Sequence, residues 1–394
     1  MTTYKEDVKL KKILIFMIFV GLVGVAGAFF KLPIQAWVNI LTANFLFLSI
    51  ALFGFFMLAL TNIVGASFVT PYRKILEALA GTVPLLSIIM VVTTLLGAHS
   101  LYEWTHTDVM LNDKILIQKM AWLNFPFFSI RMVFYLGAWS FMSHYLVKKF
   151  REQEAHPEKA DLIQAHLPGI SAGFMVVFAL TFCLASFDWI MSLEPHWFST
   201  IFGIFTFSGL MVSGLATTIL LLLHLQDHGY LKKTVTDHHY HDLGKLLFGF
   251  STFWAYIWYS QYLLIWYANI PEEGEYYVLR EHFGWSWLFW LNIVLSWVVP
   301  FIALLPRGNK RNKVILQRVS IIVLLGQWLN LYVMVAPKVL EHHGVTNPTI
   351  SWPELLILVG YLGLFLFILF KKLALSSLVA KNSPLLDEGL ALEQ

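Results

Sequence analysis

Apolar residues run along this chain in long blocks separated by short polar punctuation. Ten blocks come close to or exceed the roughly 20 residues that a helix needs to cross a bilayer core. They lie at 13–30, 37–66, 75–97, 125–147, 168–192, 197–226, 244–270, 284–306, 313–336 and 352–370. The breaks carry helix-stopping residues, as in Lys31-Leu32-Pro33, Thr70-Pro71, His166-Leu167-Pro168, Glu194-Pro195, Ile270-Pro271, Leu305-Pro306-Arg307-Gly308 and Ala336-Pro337. Backbone groups in lipid are satisfied inside each segment by helices. The pattern therefore predicts an all-α polytopic membrane protein with about ten transmembrane helices. The first block follows a basic flank but is longer than the 7–15 residues of a signal-peptide core, so it is read as an uncleaved span. Spans two to five and six to nine start on the same side and number four each. This predicts two four-helix bundles, 37–192 and 197–336, with peripheral spans in segments 1–36 and 337–394.

Composition strengthens the membrane reading. Of 394 residues, 58% are hydrophobic and only 13% charged, with a mean hydropathy of +0.68; soluble domains carry about 25% charged residues. Charge also orients the spans. Of 27 Lys and Arg residues, 20 fall in segments on the N-terminal side of the membrane and five in the opposite loops (Lys31, Lys114, Lys119, Arg280, Lys338). The other two, Arg131 and Arg318, lie inside spans. By the positive-inside rule both termini are expected in the cytoplasm. The basic residues are scattered through short loops, which gives no footprint for nucleic acid. A single cysteine, Cys183, excludes an internal disulfide and a Cys-rich metal site and reads as a small core residue.

Candidate chemistry begins with charges inside spans, which are costly and pair with one another. Arg131 lies about 9 Å into span four and Asp188 about 6 Å into span five, both from the outer side at 1.5 Å per residue. The two are expected to meet, as a structural pair or as a protonatable site. Span seven carries Tyr256, Tyr259, Ser260, Gln261 and Tyr262, whose groups both donate and accept and can line a water wire or simply pack. Near the inner ends, Glu77, His224, Asp227 and His228 are candidate proton-collecting groups. His144 and His224 form one matched pair without a second layer, which argues against a haem. His238, His239 and His241, beside Asp237 and Asp242, read as a solvated loop with metal binding as the alternative. Trp266, Tyr267, Trp285 and Trp287 read as an aromatic belt. The outer loop 99–124 is suited to cap a pocket or dock a partner; the inner loop 148–167 reads as a solvated connector. Pro84 is the one clear proline inside a span, where a secondary transporter predicts broken helices in both halves. No phosphate loop, HExxH, CxxCH or nucleophile elbow occurs in the sequence, so no redox centre or bound cofactor is expected in this chain.

Two runs, SFDWIMSLEPHWFSTIFG (Ser186–Gly203) and HDLGKLLFGFSTFWAYIWYSQYLLIWYANIPEE (His241–Glu273), resemble one subunit of alternative complex III. This is the bacterial quinol:cytochrome c (or high-potential acceptor) oxidoreductase, and the similarity is to the smaller of its two polysulfide-reductase/NrfD-like membrane subunits. The resemblance implies the bacterial inner membrane, two four-helix bundles, and a respiratory assembly in contact with the quinone pool. It also implies partners: a sister NrfD-like membrane subunit, multihaem and monohaem cytochrome c subunits and an Fe–S subunit. Haem c and Fe–S clusters would then sit in those partners, with menaquinol or another quinol as the electron donor. Asp188 looks like the counterpart of the acid at the quinol site of the larger sister, with Arg131 beside it. The sister pairs that acid with a histidine, whereas here Phe187 precedes it. The resemblance thus favours proton conduction through half-channels, with Asp188 outside and Glu77, His224 and Asp242 towards the inside. The rival is a purely structural anchor for peripheral haem and Fe–S subunits.

Overall fold

The computed structural model describes residues 3–5, 7–282, 284–345 and 350–391. Among them there is no strand beyond a single bridge between Thr3 and Ser377. Twelve helices carry the fold: α1 (Val8–Lys31), α2 (Pro33–Val64), α3 (Arg73–Ala80), α4 (Val83–Leu101), α5 (Phe125–Ala155), α6 (Ala160–Trp189), α7 (Phe202–Asp227), α8 (Asp237–Ala268), α9 (Pro271–Glu281), α10 (Ser286–Leu304), α11 (Lys313–His342) and α12 (Trp352–Ala374). Nine helical stretches among the described residues are long and apolar enough to cross a membrane, α3 and α4 counting as one. The chain is a multi-pass membrane protein. The seventh predicted span falls on α8, which is equally long but carries more histidine, tyrosine and other polar groups.

Burial separates centre from periphery. In α2 and α7, 89% of the most apolar stretch is enclosed, against 22% in α1; a helix that is apolar on all sides is one meant for the interior. Helices α2, α4, α5 and α6 pack on one another, as do α7, α8, α10 and α11, and α2 lies against both α7 and α11. Helix α1 runs along α12, where Gly21 and Gly360 touch. A Cβ on Gly21 would stand 2.2 Å from the Gly360 Cα, so only small residues allow this approach. At the centre, a Cβ on Gly214 of α7 would fall 1.9 Å from the Phe53 ring of α2.

Local signals set several boundaries. Pro33 opens α2 in its first turn and Gly65 closes it in the left-handed conformation (φ 65°). Ser351 and Glu354 form a reciprocal capping box at the start of α12. Glu354 also accepts a hydrogen bond from Asn39 Nδ2 at 2.9 Å, which ties α12 to α2.

Other boundaries differ from expectation. Helix α6 runs through Pro168, and α11 runs through Pro337 to His342. Pro84 lies in the first turn of α4 and is not interior. The stretch 148–167 is mostly continued helix, with Gln153 fully buried. Histidines 238, 239 and 241 lie in α8, not in a loop. His239 caps that helix through Thr236, and its Nε2 faces the Gly389 carbonyl at 3.2 Å. Trp285 is 1% exposed and packs on Tyr332, unlike the outward Trp266, Tyr267 and Trp287. Cys183 is half-buried where α6 meets Gly203 of α7.

Candidate functional site

The segment 186–200 joins α6 to α7 at the end of the molecule opposite the termini. Helix α6 ends at Trp189, a tight turn follows at Met191–Leu193, and Glu194 then leads into an irregular stretch before Phe202. Two carboxylates, Asp188 and Glu194, are thereby aimed from the two sides of one turn.

Asp188 is 1% exposed and Arg131, on α5, 5%. Arg131 grips the carboxylate with two parallel bonds, Nε to Oδ2 and an Nη to Oδ1, both 2.8 Å. This is the planar fork geometry in which arginine binds carboxylates most strongly. Trp122 Nε1 donates to Oδ1 at 2.9 Å and the Tyr135 hydroxyl to Oδ2 at 3.3 Å. Arg131 is held in turn by the Trp122 carbonyl at 2.9 Å, and its guanidinium lies over the Trp122 and Phe127 rings. The loop 99–124 thus supplies a direct partner of the acid. Tyr102, in the same loop, donates to the Trp189 carbonyl; burial first, and the nearby Asp188 charge second, push its phenol up.

Glu194 has the corresponding role on the other side. Its Oε1 accepts from Arg280 at 2.5 Å, and Arg280, at the end of α9, is fully enclosed. That guanidinium also donates to the carbonyls of Tyr276, Val333 and Met334 at 2.7, 2.9 and 3.0 Å. The Val333 carbonyl needs such a donor, because the residue four positions on is Pro337, which has no N–H. Burial pushes the Glu194 carboxyl up, and Arg280 pulls it back. Tyr276 is stacked between Arg280 and Trp197, 3.4 and 4.1 Å from their planar groups. Nearby, Ser199 donates to Gln261, which donates to the Tyr277 hydroxyl, at 3.1 and 3.0 Å. Tyr262 donates to Glu281 at 2.7 Å.

The structure therefore brings Arg131 and Asp188 together and places Gln261 and Tyr262 near the second ion pair. It separates Tyr256 and Tyr259 from them: these are 64% and 54% exposed on the outward face of α8, so the five polar residues of span seven do not line one path. At the terminal end, Glu77 is buried in a cluster with Arg73, Lys74 and Glu154. Ser383 and Asn382 of the C-terminal segment join that cluster through Arg73 and the Glu154 backbone. Asp242 pairs with Lys245 at 2.7 Å. His224 lies in an apolar cleft, Asp227 is exposed at the end of α7, and His144 is exposed on α5. Sequence reasoning missed the Glu194–Arg280 pair. The available signal was the lone arginine of the run Pro271–Glu281, otherwise rich in acids and aromatics.

The loop 99–124 also holds the turn from outside, through Lys119 to the Pro195 carbonyl and His196 to Asp113. The His196 hydrogen bond, helped by the amides of Leu116 and Ile115, keeps the Asp113 carboxyl below its ordinary value. A depressed carboxylate adds stability above its unfolded pKa, about 3.9, and loses it as the pH falls through the folded value. Hydrogen exchange, corrected for intrinsic rates, should show the Ile115 and Leu116 amides losing protection as the pH drops below about 4. In Asp113→Asn that pH dependence should be absent.

No protein-family model matches this chain, and a search of curated proteins returns no match. Fold and site together define a multi-pass, all-helical membrane protein with two buried acid–arginine pairs on one turn.

Proposed function

We propose that the chain is a membrane subunit, without its own redox centre, of a respiratory quinol:cytochrome c (or high-potential acceptor) oxidoreductase of the alternative complex III kind. In this reading it supports quinol oxidation and carries protons between the Asp188 site and the opposite side of the membrane. The observation that carries the reading is the buried Asp188–Arg131 pair, whose acid lies in one of the two runs that resemble that family. An intramembrane ion pair that also holds a phenol and an indole N–H is an expensive arrangement for packing alone. Tyr135, whose bond to the acid is the longest of the four, is the donor most easily exchanged for an incoming hydroxyl.

Its partners would be the sister NrfD-like subunit, the multihaem and monohaem cytochromes c and the Fe–S subunit, in a bacterial inner membrane with both termini cytoplasmic. A second reading, a structural anchor for those subunits, is favoured by the complete hydrogen bonding of Asp188. Tagged chain purified from native membranes should carry haem c and Fe–S proteins with it under either reading. Replacement Asp188→Asn then separates them. A proton role predicts quinol oxidation slowed on the order of a hundredfold, the low end for a positioned proton-transfer group, in an assembled complex. Undiminished turnover and proton release would leave the anchor reading standing.

A further inference from the structure

Helices α2, α7, α11 and α12 do not close on one another completely. They leave a cleft of about 400 Å³ that reaches from Leu46 of α2 to Leu10 at the start of α1. Packed interiors leave few voids larger than a water molecule. Water needs two to four polar partners, and this lining offers almost none. The Thr217 hydroxyl is already bonded to the Ser213 carbonyl within α7, and the one titratable side chain is His224. The cleft opens sideways between α11 and α12, where Ile321, Leu325 and Leu362 are exposed. Its shape is maintained by the Gly21–Gly360 contact of α1 with α12 behind it and by Phe47 of α2 against Phe365 in its own wall. Beside a bilayer, hydrocarbon fills such a space.

Charge at the mouth selects the kind of hydrocarbon. Phe370 and Leu10 belong both to the cleft and to a small adjoining groove formed with Tyr4, Asp7, Lys11 and Lys371. The start of α1 brings Lys11, and the end of α12 Lys371, into this groove. Asp7 shares that groove, its carboxylate accepting from the Lys9 amide at 2.8 Å, and Asp227 lies near His224. Lys371 extends over the Phe367 ring with its ammonium 4.4 Å away, its charge at the rim of the apolar wall. His224, its ring tilted against Phe370 at 5.3 Å, stands where hydrocarbon gives way to this polar edge.

We propose that the cleft seats an anionic phospholipid, with one acyl chain along α7, α11 and α12 and its phosphate among Lys11 and Lys371. Basic pockets between membrane helices bind anionic headgroups in this way. The site is independent of any role of Asp188. The test uses the full chain purified from nanodiscs of phosphatidylglycerol or phosphatidylcholine, with lipid retained after detergent washing counted by native mass spectrometry. The expected result is one phosphatidylglycerol retained per chain and little phosphatidylcholine. The double variant Lys11→Gln/Lys371→Gln, at two exposed positions, should lower that preference by about tenfold or more. Leu221→Trp, which fills the cleft, should abolish retention. Equal retention of both lipids, retention of an isoprenoid quinone instead, or no retained lipid overturns the proposal.

Discussion

Replacing Arg280 by methionine is expected to cost about 3–5 kcal/mol of stability, the usual penalty for removing one partner of a buried ion pair. Three losses combine in this variant. The Glu194 carboxylate, enclosed and no longer matched, must take up a proton or remain charged in an apolar setting. The Val333 carbonyl, which Pro337 cannot serve, loses its donor. Tyr276 loses the cation it stacks against. Thermal unfolding in detergent and the yield of folded protein would measure the effect. A companion variant, Arg280→Met with Glu194→Leu, should recover part of the loss, because it removes the stranded charge. It should not recover all of it, because Val333 is still unserved unless Pro337→Ala restores the amide. If Arg280→Met unfolds at the wild-type temperature, the pair is structurally idle.

The second large effect is expected at Gly214. Alanine there should gain about 1 kcal/mol of helix propensity over glycine, yet the variant should be less stable by about 1–3 kcal/mol net. The reason is the identity of the neighbouring atoms. An added Cβ would meet the Phe53 Cγ at 1.9 Å and its Cβ at 2.3 Å. The Phe53 Cβ is fixed to the α2 backbone, so rotating the side chain can swing the ring away but cannot move that atom aside. Relief requires α2 and α7, the two most enclosed candidate spans among the described residues, to separate. Phe53→Leu alone leaves that Cβ in place, so the double variant Gly214→Ala/Phe53→Gly is the one that should relax the strain, at the cost of a cavity. Stability of the single variant equal to or above wild type would show that α2 and α7 do not approach as described.

Much of this architecture was legible in the chain because a bilayer imposes one simple length rule. Ten apolar blocks gave the spans and their order, and the Arg131–Asp188 contact followed from matched depth on consecutive helices. Prolines misled where tertiary contacts compensate for them. Pro337 reads as a helix end, but Arg280 arrives from 53 residues away to serve the Val333 carbonyl. The proline inside a span is Pro300 of α10, in the eighth apolar block, and not Pro84; it is similarly accommodated. A wide, five-residue π-helical turn, Val294–Val298, precedes it, and Gly326 of α11 fits against Ser296 of that turn. Polar residues misled in span seven, since a helix turns 100° per residue and nearby hydroxyls need not share a face. Gln261 is buried while Tyr259, two positions earlier, is outside. The Glu194–Arg280 pair was hidden for another reason: both residues lie outside the apolar blocks, so hydrophobicity gave them no depth.

Asp188 and Glu194 are six positions apart, and each is locked to an arginine from a different set of helices, Arg131 from α5 and Arg280 from the end of α9. The short strap between them therefore acts as a yoke. Rocking α4–α6 against α8–α11 at this end would stretch a seven-residue span and break one of the pairs. A carrier that exposes its centre to alternate sides needs such a rocking motion; this molecule is clamped against it at one end, while at the other Asn382, Ser383 and Gly389 are bonded to Glu154, Arg73 and His239. The proton path proposed above would then run between helices that stay still.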